Sequence, residues 1–291
     1  CLLPISSSRF SATSVGGRIF VPTGKPLQPD PPVTRWADTA PAIESWQQWT
    51  GELRAKPVVV GPLSGGLSNR SFLLDSAGKK MVLRLNNSSA LLPGLNRDDE
   101  SSIWQAASAV GIAPRLLYVD QAAGHLVSAY IDNSLTPQHP SQSVFTDQAL
   151  ELLARCHQLE VDAGEIDYTS HIEQYWRIIE SKYPLPDPAL TQQREPMQAV
   201  LETLLHSGSP MGLCHHDPVV ANFVGKPQRL YLVDWEYAAR GLLVMDYAAL
   251  GIEWNIDDPV ILAATGIDQE QLFIAKALYG YLCELWQQAS A

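Results

Sequence analysis

The sequence is poor in cysteine, in long apolar runs and in positive charge, and each shortage excludes a class of protein. Only four cysteines occur in 291 residues and none forms a CxxC pair, which argues against a zinc ribbon or a disulfide framework and favours a reducing compartment. No apolar run reaches the roughly 18 residues that a membrane span needs. Since 20 basic residues face 31 acidic ones, a nucleic-acid partner is not expected. We therefore expect a cytoplasmic protein without membrane or nucleic-acid partners, and its net charge of −11 is compatible with a cationic small molecule.

The pattern along the chain predicts an α+β fold with two unequal lobes. Residues 1–45 are rich in serine, proline, threonine and glycine and predict an irregular leader. Residues 46–132 predict a small mixed lobe with an antiparallel sheet, and residues 133–291 predict a larger, mainly helical lobe. A hydrophobic content of 46% is enough to bury a sizeable core in such an arrangement.

Individual elements follow from apolar periodicity and turn residues. Strands are predicted at 56–63 and at 70–86, the second stretch folding back at Ser76-Ala77-Gly78-Lys79. Two further strands are predicted within 113–132. Helical periodicity predicts helices at 42–53, 97–111, 146–159, 171–182, 190–206, 242–254 and 268–287.

The stretch LCHHDPVVANF at 213–223, followed by LYLVDWEYA at 230–238, places polar groups beside apolar strands. Two strand halves joined through residues 225–228 predict a hairpin that brings Asn222 and Asp234 close to opposite one another. Asp217 lies in the loop just before this hairpin, and two carboxylates so close together would repel each other without a cation. Carboxylate and carboxamide oxygens suit Mg²⁺. Asn222 and Asp234 are therefore predicted metal ligands, which leaves Asp217 to take or orient the proton of an attacking hydroxyl.

These motifs resemble those of a known superfamily. HHDPVVAN matches H-x-D-x-x-x-x-N, and VDWEYA stands where a kinase carries its metal-binding aspartate. The combination resembles the aminoglycoside phosphotransferase and choline kinase superfamily, whose fold is similar to that of protein kinases. The resemblance covers roughly residues 55–255, and it implies a two-lobed protein-kinase-like fold with ATP and Mg²⁺ in the cleft.

The resemblance also implies a nucleotide site in the smaller lobe. PLSGGLSNRSFLL is similar to the phosphate-covering turn of the superfamily, which implies nucleotide contacts from Gly65, Gly66, Ser68 and Asn69. The glycines there let the backbone approach the phosphates.

Two charged residues complete this implied nucleotide site. MVLRLN implies that Arg84 meets the α- and β-phosphates, an arginine where protein kinases carry lysine. Glu100, near the start of the following helix, is implied as the partner of Arg84. LVSAYID implies a hinge whose backbone at 129–131 holds adenine.

Other polar and aromatic residues have structural roles in this interpretation. The resemblance implies that His215 supports the loop through hydrogen bonds and that Asp246 anchors it. The alternative, a zinc site of His215, His216 and Asp217, is disfavoured because ligands adjacent in sequence rarely face one ion. Some tryptophans are candidates for cation–π contact with an acceptor, although core packing is the commoner role of this residue: Trp176, Trp254 and Trp286.

The function implied by the resemblance is transfer of the γ-phosphate of ATP to the hydroxyl of a cationic alcohol. The motifs look most like those of the bacterial thiamine kinase and choline kinase branch, and the compact chain favours thiamine. Choline or ethanolamine comes next, and an aminoglycoside, phosphorylated as by the 3′-type phosphotransferases, is third. A hypothesis of another class is a non-catalytic nucleotide-binding pseudokinase module, against which the intact Asp217, Asn222 and Asp234 count.

Overall fold

The first described residues are short helical turns that lead into the sheet. The computed structural model describes residues 36–63, 69–86, 97–132, 143–227 and 229–290. Helix α1 (Ala40–Glu44) lies between the 3-10 turns Ala37–Thr39 and Trp46–Gln48, so the helix predicted at 42–53 is shorter than expected and partly of the 3-10 type. Residues 1–35 of the predicted leader lie outside the described residues.

A five-stranded antiparallel sheet forms the N-lobe. Its strands are β1 (Val58–Leu63), β2 (Asn69–Ser76), β3 (Lys79–Asn86), β4 (Leu116–Asp120) and β5 (His125–Ala129), in the order β1-β2-β3-β5-β4. Strands β2 and β3 join through Ala77 (φ 51°) and Gly78 (φ 86°). Positive φ at both positions matches the twist of a two-residue hairpin, so the turn predicted at 76–79 is confirmed.

The two faces of this sheet have different roles. Side chains alternate between faces along a strand, and in β3 the buried Met81 and Leu83 pack in a cluster with Trp49. Val82, which lies between these two residues in the strand, and Arg84, which follows Leu83, line a cavity on the opposite face of the sheet. The period of two in MVLRLN thus gives the sheet one face for the core and one for a ligand.

Helix α2 (Arg97–Ala109) links the sheet to the rest of the molecule. Ile103 and Trp104 of this helix are buried in the main hydrophobic core together with residues of the C-lobe. The indole Nε1 of Trp104 donates a hydrogen bond to the carbonyl oxygen of Pro114 at 2.8 Å. The helix therefore holds residues at its N-terminus in a defined place relative to both lobes.

The C-lobe is mainly helical. Its helices are α3 (Ser143–His157), α4 (Tyr168–Lys182), α5 (Pro188–Leu205), α6 (Leu243–Glu253), α7 (Asp258–Thr265) and α8 (Gln269–Ser290). Helix α8 packs against α4, α5 and α6. Only α7 was not predicted from the sequence, because two turns are too short for a readable period.

Two short antiparallel strand pairs carry the polar motif. Strand β6 (Met211–Cys214) pairs with β9 (Ala239–Leu242), and between them β7 (Phe223–Lys226) pairs with β8 (Arg229–Leu232). The inner pair is the predicted hairpin. Because Cys214 lies opposite Ala239, the outer pair brings both ends of the motif to one point.

The predicted α+β class with an antiparallel N-lobe and a helical C-lobe is confirmed. The domain limits at residues 45 and 132 remain predictions. Among the helices of the described ranges, none combines the length and the apolar character that crossing a bilayer requires.

Candidate active site

Asp246 holds the start of the loop that follows β6. This buried carboxylate, on α6, accepts the backbone N–H groups of His215 and His216, each at 2.8 Å, and His157 Nε2 lies 3.0 Å from it. Burial alone would raise the pKa of Asp246, but the hydrogen bond and charge of His157, with the neighbouring histidines, lower it to about 2. Asp246 is therefore an ionised anchor for the loop, as predicted.

His215 supports the same loop from the inside. Its Nε2 lies 3.1 Å from the carbonyl oxygen of Val233, and its ring packs edge-on against Trp235 at 4.8 Å between centroids. These contacts agree with the predicted structural role. The rings of His215 and His216 both point nitrogens at hydrogen-bond partners in the protein, which speaks against the zinc alternative.

Asp217 and Asn222 are joined across the loop. Asn222 Nδ2 donates to the backbone carbonyl of Asp217 at 2.9 Å and to its carboxylate at 2.8 Å. Because both bonds use the amide nitrogen, the amide oxygen of Asn222 remains available as a ligand for a hard cation.

The β7–β8 hairpin brings Asp234 to the same place. Phe223 pairs with Leu232, and the N–H of Val233 donates to the carbonyl oxygen of Asn222 at 2.9 Å. The residue opposite Asn222 is thus Val233, one position short of the predicted Asp234. Asp234 follows immediately with a φ of 68°. Non-glycine residues rarely adopt this backbone conformation, and the residues that do are often at functional sites.

Negative charge is concentrated around Asp217. Burial and the nearby charge of Asp234 raise the pKa of Asp217 to about 7. Two carboxylates and a free carboxamide oxygen therefore meet where negative charge is in excess. This donor set fits Mg²⁺, which takes oxygen ligands and only one or two carboxylates.

A network of charges continues from Asp234 into the N-lobe. Arg84 donates to Glu100 at 2.5 Å and to Asp234 at 3.0 Å, and both Arg84 and Glu100 are buried. Burial alone would lower the pKa of Arg84, but Glu100 and the other carboxylates outweigh it and raise the pKa above its ordinary value. The structure thus contains the predicted Arg84–Glu100 pair and adds Asp234 to it.

Two members of this network were not predicted as site residues. Glu236 Oε2 accepts from Asn69 Nδ2 at 2.8 Å and pairs with Arg97 at 3.0 Å. Arg97 also donates to the Asn69 side-chain oxygen at 3.0 Å. Two sequence features could have pointed to these residues: Glu236 lies inside VDWEYA, and Arg97 lies one helical turn before Glu100. Neither feature by itself predicts a contact between the lobes.

The predicted nucleotide turn is only partly described. Gly65, Gly66 and Ser68 lie outside the described residues. Asn69 is the first residue of β2 and is buried by its contacts with Glu236 and Arg97. Its predicted contact with the nucleotide remains a prediction.

A cavity of about 210 Å³ lies between the sheet and the hairpin. Its walls include Arg84, Asn222 and Asp234 together with apolar side chains of both lobes, among them Val82, Leu126, Val224 and Val233. The predicted hinge residues 129–131 line it as well. The N–H of Ala129 is already bonded to the carbonyl oxygen of Arg115 at 2.8 Å, so that donor is used within the protein.

The charge of Asp217 also affects a group of side chains on the C-lobe side. Burial and the charge of Asp217 raise the pKa of Tyr175 on α4. Burial, Glu253 and Asp217 raise that of Tyr279 on α8, whose hydroxyl donates to Glu253 at 2.9 Å. Two tyrosines and a carboxylate therefore lie near Asp217, and sequence reasoning missed all three because they come from separate helices.

The tryptophans considered for cation–π contact have other partners. Trp176 is buried and donates to the hydroxyl of Tyr281 at 2.7 Å. Trp254 donates to the carbonyl oxygen of Pro218 at 3.2 Å and packs edge-on against Phe223. Trp286 is partly buried against the core. These contacts support the core role for Trp176 and Trp254.

Comparison with known proteins identifies the family. The model of the phosphotransferase enzyme family (APH) matches residues 59–282, which is well over half of the chain. The chain belongs to this family. The match runs from β1 to α8 and includes every element that contributes to the site described above.

Individual relatives of this chain are distant in sequence. It is 26% identical to the protein LicA of Haemophilus influenzae over 191 residues, which are 64% of this chain and 56% of LicA. It is 25% identical to thiamine kinase of Escherichia coli over 203 residues, which are 68% of this chain and 67% of that kinase. The match thus spans little more than half the length of LicA.

A solved structure shows the same fold. The choline kinase LicA from Streptococcus pneumoniae superimposes on this chain with a TM-score of 0.66 and 25% sequence identity, covering 79% of this chain and 86% of that one. The two-lobed kinase-like fold implied by the sequence motifs is therefore confirmed.

Proposed function

We propose that this phosphotransferase transfers the γ-phosphate of ATP to the hydroxyl group of a small cationic alcohol. The observation that carries the proposal is the convergence of Asp217, Asn222 and Asp234 below a cavity that Arg84 lines from the N-lobe. Family membership supports the reaction type, and the match to a choline kinase and a thiamine kinase supports the acceptor class.

In this proposal Asp217 is the residue that meets the acceptor hydroxyl. Phosphoryl transfer asks for an in-line nucleophile and for neutralisation of charge, with little covalent chemistry by the protein. A carboxylate with a pKa of about 7 accepts a hydrogen bond from the hydroxyl and orients it, and the bond from Asn222 limits rotation of that carboxylate.

Asn222 and Asp234 are the proposed ligands of Mg²⁺. The metal, when bound, supplies charge neutralisation to the phosphate oxygens. The protein contributes the free amide oxygen of Asn222 and a carboxylate that Arg84 orients at 3.0 Å.

Arg84 is proposed to hold the nucleotide phosphates, with Glu100 as its partner. An arginine presents a planar fork of donors, and the contact with Glu100 keeps the guanidinium from rotating away from the cavity. The apolar side chains of the cavity walls suit an adenine ring.

A cationic acceptor fits the residues near Asp217. Glu253 supplies negative charge, and Tyr175 and Tyr279 supply aromatic rings, which attract ammonium groups. Thiamine is the first candidate, as predicted from the motifs. Choline is the second, favoured by the fold match to a choline kinase at 25% identity.

The test is a screen of ATP-dependent phosphate transfer to thiamine, choline, ethanolamine and kanamycin with Mg²⁺. We expect turnover with thiamine or choline, and identification of the phosphorylated product by mass spectrometry. Turnover with kanamycin alone would move the acceptor class to aminoglycosides. Magnesium-dependent nucleotide binding without transfer to any hydroxyl compound would favour the pseudokinase module.

Asp217→Asn tests the assigned role of Asp217. The variant keeps the side-chain oxygen that accepts from Asn222 but loses the charge, so we expect kcat to fall by about 10²- to 10⁴-fold with little change in ADP affinity. Titration calorimetry measures the affinity. Full turnover in this variant would refute the assignment.

The cytoplasmic location and the absence of nucleic-acid and membrane partners remain parts of the proposal.

A further inference from the structure

His216 has a backbone conformation that its own side chain does not favour. Its φ is 62°, in the left-handed region that residues with a Cβ adopt rarely and retain only where their surroundings hold them. The backbone N–H is held by Asp246 at 2.8 Å. His216 directly precedes Asp217, so its φ sets the direction in which the chain continues into that residue.

The ring of His216 forms part of a directed hydrogen-bond chain. Nδ1 lies 3.2 Å from the carbonyl oxygen of Tyr237, and Nε2 lies 3.0 Å from the hydroxyl of Tyr168. A carbonyl only accepts, so Nδ1 carries the proton, and the neutral ring leaves Nε2 as an acceptor. Tyr168 therefore donates to Nε2, while its oxygen accepts the N–H of Leu242 at 3.2 Å.

The space around this ring is closed by strand β9. A Cβ atom added at Gly241 would lie 2.6 Å from His216 Nε2 and 2.6 Å from the hydroxyl oxygen of Tyr168. Any side chain at position 241 would thus displace the ring or the hydroxyl. The close approach of β9 and the two ring contacts hold His216 from three sides.

We infer that His216 is a positioning residue for Asp217, and that Tyr168 is the side chain that holds His216 in place. The inference rests on the proposed function of Asp217. Without the two ring contacts, residue 216 relaxes towards negative φ, and the Asp217 carboxylate turns away from Asn222 and from the acceptor hydroxyl. His216 acts through Asp217 and does not itself contact substrate.

Tyr168→Phe tests the inference with the removal of a single hydroxyl. We expect kcat to fall about tenfold or more, because small displacements of a reacting group are costly, while the KM for ATP and the affinity for ADP stay within about twofold. The matched control is Tyr281→Phe, which removes a buried tyrosine hydroxyl that accepts from Trp176 at 2.7 Å. The control is expected to lose stability but to keep kcat.

A pair of substitutions at position 216 separates the backbone from the ring. His216→Ala loses both ring contacts and is expected to lower kcat about 100-fold. His216→Asn keeps a residue type that tolerates positive φ and a side-chain donor for the Tyr237 carbonyl, so it is expected to recover part of that loss. An Asn variant as impaired as the Ala variant would overturn the role of the backbone conformation.

Two measurements do not depend on turnover. Imidazole ¹⁵N spectra of the native protein are expected to show the Nδ1–H tautomer for His216, with a shift of the Nε2 signal in Tyr168→Phe. Amide exchange of His215 and His216 is expected to become faster in Tyr168→Phe and not in Tyr281→Phe.

Several results would overturn the inference. These are an Nε2–H tautomer in the native protein, unchanged amide exchange, native kcat in both Tyr168→Phe and His216→Ala, or an equal loss of kcat in Tyr281→Phe. If the native protein transfers phosphate to no acceptor, the proposed function fails, and the spectra and amide exchange alone decide whether Tyr168 and His216 hold the loop.

Discussion

The carboxylate of Asp217 lies where its charge is disfavoured. The residue is partly buried, and with the nearby Asp234 this burial raises its pKa to about 7. Such unfavourable charge is common where a protein keeps a site ready for a ligand. Asp217 should therefore lower the stability of the ligand-free protein while it serves the proposed reaction.

Asp217→Asn is expected to stabilise the ligand-free protein at pH 8. The folded pKa of Asp217 is raised, so between about pH 4 and pH 7 the folded state holds a proton that the unfolded state has released. The contribution of Asp217 to the free energy of unfolding therefore falls as the pH rises through that window, and it is constant above the window. We expect the variant to be more stable by about 1 to 2 kcal/mol at pH 8, a value reduced for the partial exposure of the side chain, with a smaller difference at pH 5.

Urea unfolding of both proteins across this pH range measures the effect. The control is Asp257→Asn at the start of α7, an exposed aspartate whose side chain makes no capping hydrogen bond. It removes an exposed carboxylate of the same type and is the reference for the effect of Asp217→Asn. Equal stability of the native protein and Asp217→Asn at pH 8 would contradict the raised pKa.

Among the elements, the β7–β8 hairpin places the proposed metal ligands. Lys226 pairs with Arg229, so the connection spans two residues, and the open end of the hairpin carries Asn222 and Val233 as neighbours. Gly225 has a φ of 126°, and a Cβ atom there would collide with the carbonyl oxygen of Arg229. The tight register of this element depends on glycine at that position.

Gly225→Ala is expected to disrupt the hairpin and with it the metal site. The contact with the Arg229 carbonyl involves backbone, which cannot move without changing the strand pairing. We expect a loss of at least about 2 kcal/mol in the free energy of unfolding and weaker Mg²⁺-dependent binding of ADP, measured by urea unfolding and calorimetry.

Gly266→Ala is the matched control for this substitution. Gly266 also has a positive φ, 68°, but nothing lies within 4 Å of an added Cβ atom. The control should lose only about 1 kcal/mol in the free energy of unfolding and keep ADP binding unchanged. If both variants behaved alike, strain at Gly225 would not be what sets the metal site.

At the scale of the whole molecule, two charge pairs and a hydrogen bond join the two lobes. Arg84 pairs with Asp234, Arg97 pairs with Glu236, and Asn69 donates to Glu236. Arg84 and Asp234 neutralise each other in the ligand-free protein. If a phosphate bound to Arg84 without the metal, Asp234 would lie beside the negative charges of the phosphate and of Asp217. If the metal bound to Asp234 without the phosphate, Arg84 would face a like charge.

We therefore expect ADP and Mg²⁺ to bind with strong positive coupling. The affinity for ADP should rise about tenfold or more at saturating Mg²⁺, as measured by calorimetry with and without the metal. Asp234→Asn should lose most of this dependence. Lys56→Gln, which removes only an exposed pair with Glu44, should retain it. Equal affinity for ADP with and without Mg²⁺ in the native protein would contradict the coupling.

The sequence by itself determined contacts between residues that lie close together along the chain. The alternation in MVLRLN and the Ala77-Gly78 turn predicted the β2–β3 hairpin, and the residues between Asp217 and Asp234 predicted that two carboxylates and a carboxamide meet. These features depend on spacings of a few residues, which strand and turn geometry convert directly into proximity. The offset of one residue, with Val233 opposite Asn222, follows from the register of the hairpin, in which Lys226 pairs with Arg229 and Phe223 with Leu232.

Only the tertiary structure decided which distant side chains reach the site. Arg97 and Glu236 are 139 positions apart in the numbering, and Tyr175, Glu253 and Tyr279 lie on three helices. Their meeting depends on how α4, α6 and α8 pack and on how α2 sits between the lobes, and no local period records those packing angles. The hydrogen bond between Tyr168 and His216 likewise exists because β9 closes over the loop, which is a consequence of long-range strand pairing.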